Sequence, residues 1–258
     1  MEVHAHTHTA RKRWAHFLWD FLMLFLAVFC GFLAENQREH LVEHRRVKQY
    51  SKSLVRDLEQ DTAMLSIIVT QIDTIMNTIE RFSTYAKNKD LNQIGNIELY
   101  KFFLNMGLYR PYAWNRATLE QIKNSGSLRY FSNDSIVNRI SSYDAFTRHL
   151  DQDFGGDEIR AEKLASRRNQ LVDLNYPEEL INGLENNWDS TLATGYYKEI
   201  TKNDLSILTK DVLELKRLVN DAITIGENLW ARQEVELPKA RQDAIVLITM
   251  LKKEYHLD

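Results

Sequence analysis

The sequence predicts an all-α protein: an N-terminal transmembrane helix continuing into a long stalk helix, followed by an antiparallel helical bundle. Three observations predict it. Residues Trp14 to Ala34 (WAHFLWDFLMLFLAVFCGFLA) form one apolar stretch interrupted by a single carboxylate. From Gly31 to Gly95 no glycine or proline occurs, and apolar residues recur at alternating spacings of four and three, the signature of a helical seam. Finally, 258 residues contain only nine glycines and three prolines (Pro111, Pro177, Pro238), too few turn formers for a β-sandwich or an α/β fold.

The first 13 residues, MEVHAHTHTARKR, have no apolar periodicity and are expected to form a flexible tail. Residues 14–34 follow as the span, since a helix of this length reaches about 30 Å, the thickness of a bilayer's hydrocarbon core. A cleavable signal peptide is the alternative, with Arg11 to Arg13 as its basic region. The small-x-small cleavage site is missing at Phe32-Leu33-Ala34, however, so retention as an anchor is expected. Three adjacent cations on a short tail favour a cytoplasmic N-terminus, with the large C-terminal domain on the far side of a single-pass span.

Asp20 is the unusual residue of the span, because a carboxylate at the centre of a bilayer costs about 2.5–3.5 kcal/mol on insertion scales and less near the interface. Ala27 and Gly31 lie on roughly the same helical face, with His16 one turn before Asp20. Asp20, Ala27 and Gly31 are therefore the candidates for helix packing in the membrane, with a second copy or a multi-span protein as partner. Stator subunits also carry an aspartate in a single N-terminal span, but their outer domains are not all-helical.

Residues 35–90 are expected to form the stalk. Its seam runs through Val47, Ser51, Leu54, Leu58, Asp61, Leu65, Ile68, Ile72, Ile75, Ile79, Phe82 and Ala86. Glu35, Glu39 and Glu43 stand four apart and repel unless arginines intervene. Residues 91–258 form the bundle domain, and Leu91 to Asn133 is a run of short elements rich in aromatics. Asn115 or Thr118 is expected to cap a short helix stopping at Gly126, and Asn133 or Asp134 to cap the next. That next helix, Ile136 to Phe154, is expected to break at Gly155-Gly156 and restart at Asp157. Pro177 marks a further helix start, Thr201 to Asp204 precedes a second seam (Leu208, Val212, Leu215, Val219, Ala222, Gly226, Leu229), and a final helix begins near Pro238.

Two segments, FLMLFLAVFCGFLAENQREHLVEHRR (Phe21 to Arg46) and RPYAWNRATLEQIKNSGSLRYFSN (Arg110 to Asn133), resemble a family of uncharacterised single-span bacterial membrane proteins with a helical extramembrane domain. The second contains the T-x-x-x-[IL]-x-x-S-G-x-L element of that family. The resemblance implies the architecture and no activity.

Function classes narrow by exclusion. A formal charge of -3 with cations dispersed among acids excludes a basic nucleic-acid surface, and the single cysteine, Cys30, excludes an intrachain disulfide framework. His40-Leu41-Val42-Glu43-His44 fits the H-x-x-E-H pattern of zinc hydrolases, yet it lies in a heavily charged helix just beyond the span, so a solvated helix face is the expectation. His4, His6 and His8 alternate along the tail and are read as polar tail. Asp151, Asp153, Gly156 and Glu162 fall at positions one, three, six and twelve of a calcium loop, but Gly155 supplies no oxygen at position five, and a helix break is preferred. Tyr109, Tyr112, Trp114 and Tyr130 are the candidates for a ligand pocket, against the plainer reading of core aromatics. No cofactor, metal or catalytic residue is expected. The leading expectation is a non-enzymatic, membrane-anchored assembly protein of the bacterial envelope; the alternative is an extracytoplasmic sensory or ligand-binding bundle signalling through a membrane partner.

Overall fold

The computed structural model describes residues 10–173 and 207–257, and it is all-α. The tail histidines His4, His6 and His8 and the helix starts expected at Pro177 and at Thr201 to Asp204 lie outside the described residues.

Helix α1, Ala10–Asn88, is one unbroken rod of 79 residues, about 120 Å long at the standard rise. Among the described residues, positions 14–42 are all exposed. From Val47 onward the predicted seam turns inward, and Val47, Ser51, Leu54, Leu58, Asp61, Leu65, Ile68, Ile72, Ile75, Ile79 and Phe82 are all buried. The free-standing portion beyond Ala34 is therefore short, and residues 47–88 belong to the bundle itself.

The chain then returns along α1 through a broken second ply: a 3-10 turn at Leu91–Gln93, α2 (Asn96–Asn105), an extended strip, α3 (Ala117–Asn124) and a 3-10 turn at Ser127–Tyr130. Contacts fix its direction. Phe102 packs tilted against Phe82 with ring centroids 4.1 Å apart, the Arg110 N–H donates to Gln71, and the Asn115 N–H donates to Asp61. Neither Asn115 nor Thr118 caps α3, contrary to expectation: Asn115 spends its donors on Asp61, Thr118 is buried, and Arg116 holds the cap position without a side-chain capping bond. After α3, Gly126 adopts φ 65°, the left-handed conformation that closes a helix and that glycine tolerates best.

Helix α4, Asp134–Leu171, begins at Asn133, whose side chain accepts from the Ser135 N–H. It runs 38 residues straight through Gly155-Gly156, which corrects the predicted break. A mid-helix glycine costs about 1 kcal/mol relative to alanine, and the anchors on either side, Leu150, Phe154 and Leu164, are all buried. A Cβ on Gly155 would meet no heavy atom within 4 Å. Gly155→Ala is accordingly expected to stabilise the fold by about 0.5–1 kcal/mol, read as a rise of a few degrees in thermal unfolding. A fall would show that this position needs a non-helical backbone.

The last ply consists of α5 (Val212–Ala231) and α6 (Leu237–Tyr255), with Asp211 capping α5 through the Leu213 N–H. Leu208 precedes the helix and is exposed. A single π-turn, Arg232–Glu236, joins the two helices into one rod. Pro238 explains it. Its ring crowds the carbonyl four residues back and it has no N–H, so the ladder gains a residue there and the Leu237 N–H reaches the Arg232 carbonyl.

Gly226 faces Ile79, Lys252 pairs with Glu59, and Asn133 reaches Glu254, so α5 and α6 run antiparallel to both α1 and α4. The result is an up-down-up-down bundle with two apolar clusters stacked along its axis. One gathers Val47, Leu54 and Leu58 with Ile136, Ile140, Leu247 and Leu251; the other gathers Leu65 to Phe82 with Phe102, Leu150, Leu215, Ile225 and Leu237.

Candidate functional site

Two regions carry chemistry: the free apolar half of α1, and a polar clasp inside the bundle. In the first, every large apolar side chain from Trp14 to Leu33 is exposed. The segment is long and apolar enough to cross a bilayer and contributes nothing to the core. Soluble monomers rarely expose so large an apolar surface, which marks contact with lipid or another protein. Phe21, Phe25 and Phe29 stack in sequence with centroids 6.4 and 5.9 Å apart. His16 Nδ1 lies 2.8 Å from Asp20 Oδ2, so one carboxylate oxygen is satisfied within the helix itself. Ala27 and Gly31 share that face, and no neighbouring group comes within 4 Å of a Cβ placed on Gly31.

Just beyond, Arg38 Nε donates to Glu35 at 2.8 Å, placing a cation among the acids of the stalk. His40 lies 3.7 Å from Glu43, while His40 and His44 are exposed. Among the described residues no cluster of three metal-ligating groups includes either histidine.

The clasp forms where the aromatic strip crosses α4. Tyr109 packs edge-on against Phe154 (5.2 Å) and Tyr112 stacks on Trp114 (5.2 Å). Both strip ends bond to α4: the Tyr109 hydroxyl donates to Asp157 at 2.8 Å, and the Trp114 indole N–H donates to Asp151 at 2.8 Å. Opposite them stands Arg232, buried in the π-turn, with Nε 3.1 Å from Asp157, Nη1 2.9 Å from Asp153, and Glu236 against the same Nη1. Arg116 pairs with Asp151 at 2.7 Å and Arg160 with Asp157 at 3.1 Å.

Asp151, Asp153 and Asp157 are thus each matched by protein cations on a continuous helix, which corrects the expectation that Asp157 starts a helix after a break. His149, Asp153 and Glu236 bring ligand atoms close together, but the Arg232 guanidinium already sits between the two carboxylates. Burial raises the hydroxyl pKa of Tyr109 and pushes that of Tyr112 to about 12, so both remain neutral donors.

Of the four candidate pocket aromatics, Tyr109, Tyr112 and Trp114 meet in the clasp. Tyr130 lies apart in the cluster that gathers Val47, Leu54 and Leu58, with the Arg129 guanidinium 4.7 Å over its ring. The void beside Trp114 is only about 10 Å³. A groove of about 600 Å³ lies elsewhere, between Met106 to Leu108 and α4, and none of the four lines it.

Sequence reasoning missed Arg232, Arg116 and Asp61 as members of this polar layer. One signal was present for Asp61, an acid at a core position of the seam. It is buried between Leu58 and Leu65 and accepts from the Asn115 N–H (2.9 Å), the Asn115 amide (3.1 Å) and the Tyr143 hydroxyl (3.0 Å). Burial raises its pKa despite those donors.

At the periphery the balance reverses. Burial pushes Asp144 and Asp221 up, but hydrogen bonds from Lys123 and Arg148 to the first, and from Lys163 and Arg167 to the second, leave both below the ordinary carboxylate value. A carboxylate whose folded pKa is lowered stabilises the fold above its unfolded value, about 3.9, and loses that contribution as pH falls through the folded value. Asp61, being raised, works oppositely and loses its contribution as pH rises. Thermal stability is therefore expected to fall as pH drops below about 4, and Asp144→Asn with Asp221→Asn should flatten that limb of a melting-temperature profile.

No family model, no curated protein and no solved structure matches the chain, so the resemblance of Phe21 to Arg46 and Arg110 to Asn133 carries no family assignment.

Proposed function

We propose that the chain is a single-pass membrane protein of the bacterial envelope, non-enzymatic, whose anchored helix presents the bundle and assembles with a second copy or a multi-span membrane protein. One observation carries this reading: the apolar half of α1 is wholly exposed, while the same helix supplies the core of the bundle. Arg11 to Arg13 beside the span favour a cytoplasmic N-terminus and a periplasmic bundle in the inner membrane. Asp20, paired with His16, together with Ala27 and Gly31 is the packing face. Small residues admit close backbone approach, and a carboxylate in the span gains from a partner's polar group.

Crosslinking in native membranes tests it. A crosslinked species is expected, reduced several-fold by Gly31→Leu and by Asp20→Asn. A solely monomeric protein, or crosslinks indifferent to both substitutions, would sink the packing face.

A further inference from the structure

A second polar position lies in the bundle interior, one turn of α1 before Asp61. Asp57 is 8% exposed, and its Oδ2 meets no hydrogen-bonding group among the described residues. The same holds for Arg116 Nε; Nη2 of the same guanidinium lies 2.7 Å from Asp151 as an ion pair, without the alignment of a hydrogen bond. Both residues line one internal void of about 10 Å³, together with Asp61, Asn115, Tyr143 and Thr147. Leaving a buried donor or acceptor unpaired forfeits its hydration without return, so an unpartnered acceptor and an unpartnered donor on two residues that line one void require explanation.

We propose that this void is a binding site for one water molecule, which accepts from Arg116 Nε and donates to Asp57 Oδ2. Size restricts the ligand first. A space of about 10–15 Å³ for probe centres accommodates one water and no larger molecule. Chemistry restricts it second. An acceptor and a donor share the wall, and water answers both at once. A monovalent cation would satisfy Asp57 and leave the Arg116 N–H without an acceptor beside a like charge. A chloride would satisfy Arg116 and face two carboxylates. The second water hydrogen points to the remaining acceptor capacity of Asp61, whose oxygens already take the Asn115 and Tyr143 donors. The water then ties α1 to the start of α3, the junction where the two apolar clusters meet.

The test is a crystal structure of the full-length protein in detergent, at a resolution that shows ordered solvent, with a parallel rubidium soak. The expected result is a solvent peak about 2.7–3.2 Å from both Asp57 Oδ2 and Arg116 Nε, unchanged by rubidium. An anomalous peak at that position would replace water by a cation and overturn the proposal. A direct Asp57–Arg116 ion pair closing the void, or a void without density, would overturn it equally.

Discussion

Arg232→Met should destabilise the bundle by about 3–5 kcal/mol, the cost of removing one partner from a buried ion pair and leaving the other charged and unpaired. The Arg232 side chain is 9% exposed, and its guanidinium is shared by Asp153, Asp157 and Glu236. Methionine matches its stem in bulk, so the loss reports charge and hydrogen bonding more than volume. For a domain of about 200 residues this corresponds to a fall of roughly 10 °C in melting temperature. Adding Asp157→Asn to Arg232→Met should recover part of the loss, because the stranded carboxylate is gone. A melting point within about 2 °C of the parent in the single variant would show that water, rather than Arg232, satisfies these acids.

Removing residues 1–34 should convert a protein that requires detergent into one recovered in the aqueous fraction, with the bundle still folded. The deleted residues contribute no buried side chain among those described, and the first core residue is Val47. About 20 apolar residues are what a bilayer crossing needs, and no described helix other than α1 qualifies by length and composition. Membrane fractionation with circular dichroism checks both halves of the prediction. A truncated chain that still sedimented with membranes would place the membrane contact on the bundle, and a full-length chain soluble without detergent would remove the anchor altogether.

The rods were legible because their signal is local. The α1 seam follows from three- and four-residue spacing alone, and the cap at Asn133 from a side chain two residues from its donor. The failures are equally specific. Gly155-Gly156 reads as punctuation, yet two glycines cost less than the packing of Phe154 and Leu164 returns, and tertiary contacts override propensity. Asp157 reads as the start of a new helix because its partner is remote, with Arg232 75 positions from Asp157 and 79 from Asp153. Periodicity carries no information about contacts at that separation. The π-turn is hidden for a related reason: Pro238 signals a helix start but not that a preceding helix continues into it.

The unbroken course of α1 fixes an angular phase between its apolar segment and the bundle. At about 100° per residue, Gly31 points roughly 160° away from Val47, while the exposed Ile67 returns to the azimuth of Gly31. Chains meeting through Ala27 and Gly31 would therefore stand back to back, their cores turned outward and the uncharged outer ridge Ala63, Ser66, Ile67, Thr70 and Thr74 turned toward the symmetry axis. A twist applied to one end of so stiff a shaft has no glycine or proline at which to dissipate between Gly31 and the end of the helix.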